Sequence, residues 1–209
     1  MIIVKNKTPT PRPRGRPRAF DRDKALVKAA ETFWRLGYEG ASIADLTAAM
    51  GITPQSLYGA FSSKADLYRE ALAWYQAHIG ASTAEALKEP DVVAALTRIL
   101  RDSAREFTRP DRPHGCMVST AVLTCAAENE PVARHVSTLR GATLAAIRAR
   151  IERDIDEGQL RPGTDAEALA RFVGAMIQGM SVQAQDGASE EALATLAGHA
   201  IAEIERHRR

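Results

Sequence analysis

The sequence predicts an all-α protein: a small N-terminal three-helix unit containing a helix-turn-helix, followed by a larger C-terminal helical bundle. Three observations carry this expectation. Apolar residues recur at three- and four-residue spacing, the period of a helix face. Such stretches open on capping residues and close on Gly or beside Pro. No strand-like alternation with hairpin turns occurs, and no internal repeat. With 209 residues, 45% of them hydrophobic, the chain can bury a sizeable core.

Leu26, Ala29, Ala30, Phe33 and Trp34 share one helical face, and Gly37 can end that first helix. Ser42 with Asp45 resembles a capping box, and Ile43, Leu46 and Met50 form the apolar face of a short second helix stopping at Gly51. Thr53 is a good N-cap, and Pro54 sits at the first helical position, where its missing N–H costs nothing. The short connection 51–53 is therefore the turn of a helix-turn-helix, with residues 54–60 as the recognition helix. Ser62 or Ser63 caps a long fourth helix with Leu67, Ala71, Trp74, Tyr75 and His78 on one side. About five further helices are expected: 91–107, an apolar buried stretch at 116–127, a long helix from Pro131 to near Gly158, one opened by a Thr164/Glu167 capping box, and a last one from Ser189.

Charge is divided unevenly along the chain. Residues 1–64 hold 11 Lys and Arg against 5 Asp and Glu, while residues 65–209 hold 17 against 21. A basic end on a mildly acidic remainder fits nucleic acid meeting one end only. Residues 1–18 carry four prolines, six basic side chains and no acid, the composition of a disordered arm. Two cysteines without close spacing and scattered histidines give neither a disulfide framework nor a metal site, and no cofactor motif is present. A reducing cytoplasm is the natural setting. No stretch is long and apolar enough for a bilayer span. Catalysis finds little support: Cys116 with His114 or His135 lacks an orienting partner. An architectural DNA-binding protein relying on the arm is the other alternative, but it would not need so large an acidic C-terminal part.

From Phe20 to Tyr75 the chain resembles the tetracycline-repressor-like (TetR) regulators. The resemblance rests on Phe33 and Trp34 before Gly37-Tyr38, Ser42-Ile43 with Asp45-Leu46, Met50-Gly51-Ile52, Ser56-Leu57-Tyr58, Ala60-Phe61, and Lys64 with Leu67-Tyr68. Downstream, residues 115–118 and 172–187 look like one branch of that family. The resemblance implies nine helices, a homodimer, and a small-molecule effector pocket inside the C-terminal bundle whose occupancy weakens binding to an operator. It divides the chain into the arm, a DNA-binding domain at 19–64 and a sensing and dimerisation domain at 65–209.

Within that frame, Thr53, Pro54, Gln55 and Ser56 lie in the first turn of the recognition helix, the part that reaches base edges in the major groove. Gln55 suits adenine, and Ser56 suits several bases. Leu57 and Phe61 belong to the core. Tyr58 and Lys64 are expected on phosphates: a cation in the first turn of a helix opposes the macrodipole, so helix stability does not account for Lys64. Arg14, Arg16 and Arg18 form a short basic tract able to enter an A·T-rich minor groove or simply to attract phosphates. The 165–186 helix is apolar nearly all round, which suggests a dimer face bearing Phe172, Val173, Met176, Ile177 and Met180. Pocket candidates are Trp74, Phe107, Cys116, Met117, Thr120, Met176 and Gln183. Cys116, at the start of an expected helix and near His114, is either a reactive thiol or a packing residue, the plainer reading. On a helix, Cys125 would point away from it, ~13 Å along the axis, and no bridge could form.

Overall fold

A computed structural model describes residues 20–209. Among the described residues there are nine α-helices and no named strand: α1 (Arg22–Gly40), α2 (Ile43–Met50), α3 (Pro54–Phe61), α4 (Lys64–His78), α5 (Ala81–Ala86), α6 (Val92–Phe107), α7 (Glu130–Asp156), α8 (Ala166–Gln185) and α9 (Glu190–Glu205). None of them is long and apolar enough to cross a membrane.

Local chemistry sets the first four helices. Asp21 accepts from the Lys24 N–H to open α1, and Gly37, at φ +72°, breaks its regular course so that Tyr38 turns inward and is buried. The Ser42–Asp45 capping box is complete in both directions. Gly51 closes α2 in the left-handed conformation (φ +66°), and Thr53 caps α3 directly afterwards. Ser63, not Ser62, caps α4. An aromatic group then fastens the unit: Tyr68 of α4 lies 4.8 Å from the Phe33 ring and 5.0 Å from that of Tyr38. Leu46, Leu57, Phe61 and Leu67 complete its core. This apolar cluster runs on through Tyr75 and takes in Met117, Val132 and Val136 from beyond α6.

A second cluster joins α6, α7, α8 and α9, with Leu96, Leu100, Ile147, Ile151 and Val173 at its centre. Its N-terminal edge is held by charge. Asp154, fully buried in α7, pairs with Arg150 and accepts the Val92 N–H at the start of α6 (2.6 Å). Arg150 in turn donates to the carbonyls of Leu87 and Glu89.

Three expectations need correction. Residues 116–126 are turns, bends and irregular chain, not an α-helix, and residue 127 opens a short 3-10 turn (Ala127–Asn129). The Arg140 guanidinium takes the carbonyls of Val118 and Ala121, which a helix would have used, and the Cys116 sulfur accepts the N–H groups of Val118 and Ser119. The geometric argument that set Cys116 and Cys125 on opposite helix faces therefore lapses. The cap of α8 is Asp165, whose side chain accepts from the Ala168 N–H, one residue later than the Thr164/Glu167 box placed it. Finally, α8 has an inner face: Val173 and Met180 are fully buried in the protomer's own core and cannot meet a partner.

Candidate DNA interface and ligand cavity

The recognition helix α3 sends Leu57 and Phe61 into the core and leaves the rest of its surface outward. Thr53, Pro54 and Gln55 are exposed. Ser56 is half-buried: its N–H donates to the Thr53 hydroxyl, and the two hydroxyls lie 3.0 Å apart. Ser56 is thus partly committed to the cap, which leaves Gln55 as the side chain in this turn best able to meet a base edge. Tyr58 is 48% exposed. Arg22 braces the far end of α3, donating to the Ala60 carbonyl and to both oxygens of Glu70 on α4, with its guanidinium 4.3 Å over the Phe61 ring.

Lys64 begins α4 with its ammonium 4.6 Å over the Tyr38 ring. Partial burial lowers its pKa from the ordinary lysine value, while Glu39 acts in the opposite direction. Glu39 itself is held below the usual carboxylate range by the Asn129 amide and the Ala126 N–H, both of which donate to it. The ammonium is thus supported from one side by an aromatic face and a nearby anion, a setting that fixes a cation at the start of α4, just past the C-terminal end of α3. Arg14, Arg16 and Arg18 lie outside the described residues.

Behind this surface, a cavity of about 380 Å3 opens between α4, α5, α6, α7 and α8. Its walls are mainly apolar, with Tyr75, Phe107, Ile147 and Ile177 among them, and polar groups come from Ser103, Glu106, Arg140 and Gln178. Burial raises the Tyr75 pKa well above the ordinary tyrosine value, and its hydroxyl donates to the Cys116 sulfur (3.4 Å). Of the sequence candidates, Phe107 and Cys116 line this cavity. Cys116, Met117 and Thr120 line a second one nearer α1. Trp74 instead stacks on His78 at the surface side of α4, Gln183 is exposed, and Met176 packs against the C-terminal core. Arg140 and Gln178 were missed: each is one polar residue on a long helix, and only the assembled bundle turns them to a common space.

The outer side of α8 carries Phe172 and Met176, half-buried, beside exposed Ala175 and Val182. Among the described residues no cluster of His, Cys, Asp and Glu forms a metal site.

The family model for bacterial regulatory proteins of the tetR family matches residues 25–71, and that for the tetracyclin repressor-like C-terminal domain matches residues 92–200. The HTH-type transcriptional repressor ComR of Escherichia coli (strain K12) is 35% identical over 187 residues, 88% of this chain and 89% of ComR. BdcR, a second HTH-type transcriptional repressor of the same organism, is 30% identical over 208 residues, 97% of this chain and 98% of its own. Among solved structures, a cysteine mutant of the TetR family regulator CifR, complexed with 26-bp double-strand operator DNA, is 43% identical with a TM-score of 0.86, covering 90% of this chain and 98% of CifR. The exposed, capped α3 turn, the fold and these relatives agree: the chain belongs to the TetR family of bacterial transcriptional regulators.

Proposed function

We propose that the protein is a homodimeric repressor that binds a palindromic operator through α3 and releases it when a small molecule fills the cavity between α4 and α8. The carrying observation is the first turn of α3, fixed by the Thr53 cap and by Pro54, with Gln55 free to the solvent. The named relatives are repressors, and CifR is bound to operator DNA. The cavity volume falls in the range of small-molecule sites, and its wall includes the far end of α4, the helix that begins at Lys64. Dimerisation is assigned to the outer faces of α8 and α9, with Phe172 and Met176 at the edge of the patch. Residues 19–64 then serve as the DNA-binding domain and 65–209 as the sensing and dimerisation domain. The protein works without catalysis, in the cytoplasm.

Footprinting with variants tests this reading. Gln55→Ala should change base preference within the protected site. Lys64→Ala should weaken binding to all duplexes alike and lower the salt slope by about one, because phosphates carry no sequence information. A Lys64→Ala protein with altered specificity and an unchanged salt slope would refute the phosphate contact.

A further inference from the structure

Among the described residues, the charged side chains lining the cavity between α4 and α8 are Asp102, Glu106 and Arg140. The two carboxylates are already neutralised by arginines outside the lining. Asp102 pairs with Arg98 and Arg105, and Glu106 with Arg105, Arg109 and Arg112. Arg140, half-buried on α7, has no carboxylate partner among the described residues. Its Nη1 donates to the carbonyls of Val118 (3.3 Å) and Ala121 (2.8 Å), while Nε and Nη2 have no acceptor among the described residues and keep accessible surface. The cavity thus presents one uncompensated positive charge with donors to spare. Its apolar side chains also keep surface to offer: Ile79, Leu139, Leu144 and Ile177 are each half-buried. A carboxylate on an apolar body suits this wall, since charge-assisted bonds to a guanidinium are about twice as strong as neutral ones.

The carbonyls that Arg140 holds belong to a strap that reaches the DNA-binding unit. Val122, directly after Ala121, has φ +48°, a left-handed conformation unfavourable for a β-branched residue, so the strap keeps this course only while its neighbours hold it. Four residues on, the Ala126 N–H donates to Glu39 in the last turn of α1, and the Asn129 amide joins it. Helix α1 packs against α2 and α4, the two helices that flank α3.

On the reading that this cavity holds the effector, we infer that the effector is a monocarboxylate with an apolar body and that it acts through Arg140. The carboxylate takes the guanidinium, and the carbonyls of Val118 and Ala121 lose their donor. Val122 then relaxes, and the strap no longer fixes the end of α1 that carries Glu39.

Octanoate, octanol and octylamine serve as probes of equal length on the full-length protein. Calorimetry should show saturable octanoate binding about tenfold tighter than that of either other probe; Arg140→Met should remove the preference, and Arg140→Lys, which keeps a charge, should retain part of it. In operator titrations followed by fluorescence anisotropy, octanoate should release the wild-type protein. Arg140→Met, whose strap has lost the same donor, should bind the operator weakly with or without octanoate. Val122→Gly removes the strain of the held strap, so it should raise the octanoate needed for half release about fivefold, a midpoint that a residue serving only to fill space would not move. Ser103→Phe, which fills the cavity, should abolish binding of every probe, and circular dichroism checks that each variant is folded. No saturable octanoate binding, equal or tighter binding of octanol or octylamine, or an Arg140→Met protein that still responds to octanoate would overturn the inference and leave the cavity as the effector site. An unchanged or lowered midpoint with Val122→Gly would overturn the route through the strap. Probe binding that survives Ser103→Phe would instead overturn the assignment of the cavity itself.

Discussion

Asp154→Ala is the most damaging single truncation the fold points to. The Asp154 carboxylate serves two buried groups at once: the Arg150 guanidinium, 5% exposed, and the Val92 N–H at 2.6 Å. Removing one partner of a buried pair costs about 3–5 kcal/mol, because the other charge is stranded. An N–H bonded to a charged acceptor adds about 1.5–3 kcal/mol. Both contributions flow through one carboxylate and do not add in full, so the expected loss is about 4–6 kcal/mol. At roughly 2–4 °C per kcal/mol for a chain of this size, the thermal midpoint should fall by about 8–24 °C. The assay is thermal unfolding followed by far-ultraviolet circular dichroism at one fixed protein concentration, since the proposed dimerisation would make the midpoint concentration-dependent. The double variant Arg150→Met, Asp154→Leu should recover at least half of the loss, because no charge is then left unpaired. A drop of less than about 3 °C for Asp154→Ala, or a double variant as unstable as the single one, would refute this account of how α6 is anchored.

Other substitutions probe separate links. Asp45 has its pKa lowered by the hydrogen bonds from Ser42, side chain first and backbone next, so its stabilisation exists above the ordinary value of 3.8 and is lost as pH falls through the depressed one. Asp45→Asn should therefore lower the thermal midpoint at neutral pH, with the gap to wild type closing in acid; a gap independent of pH would count against the capping box. Gly115 has φ +75°, and a Cβ there would lie 2.7 Å from the Ser181 carbonyl oxygen. Gly115→Ala should cost at least about 1–2 kcal/mol from backbone strain alone, read from urea midpoints, and a change within about 0.5 kcal/mol would contradict the observed close approach. Deleting residues 1–18 should weaken binding most on sites with A·T-rich flanks and leave the unfolding transition unchanged; equal affinity at low salt would remove any role for the arm.

What was legible in the sequence was what neighbouring residues decide among themselves. The Ser42–Asp45 box, the Gly51 turn and the Thr53-Pro54 start of α3 each sit within a few positions, and each stands where the spacing put it. Residues 116–127 defeated the same reasoning, because the groups that unwind them come from elsewhere. Arg140 reaches in from α7 and takes the Val118 and Ala121 carbonyls that a helix would have used. Apolar content also misled on α8: Val173 and Met180 are as hydrophobic as any interface residue, and only packing reveals that they face inward. The short α5 went unpredicted for a related reason, since it opens on Gly80 with no side-chain cap to announce it. The cavities are assembled from several helices, so no single stretch of sequence carries their outline.

The way α3 is held has an evolutionary consequence. Its stability is vested in two inward side chains, Leu57 and Phe61, in the Thr53 cap, and in the brace from Arg22 to Ala60 and Glu70. The outward positions 55, 58 and 59 contribute nothing to those supports. Readout and scaffold are therefore written in different letters of the same short helix. Such a lineage can drift to a new operator by exchanging surface residues one at a time, each intermediate still folded, and an engineer can recode the protein along the same route.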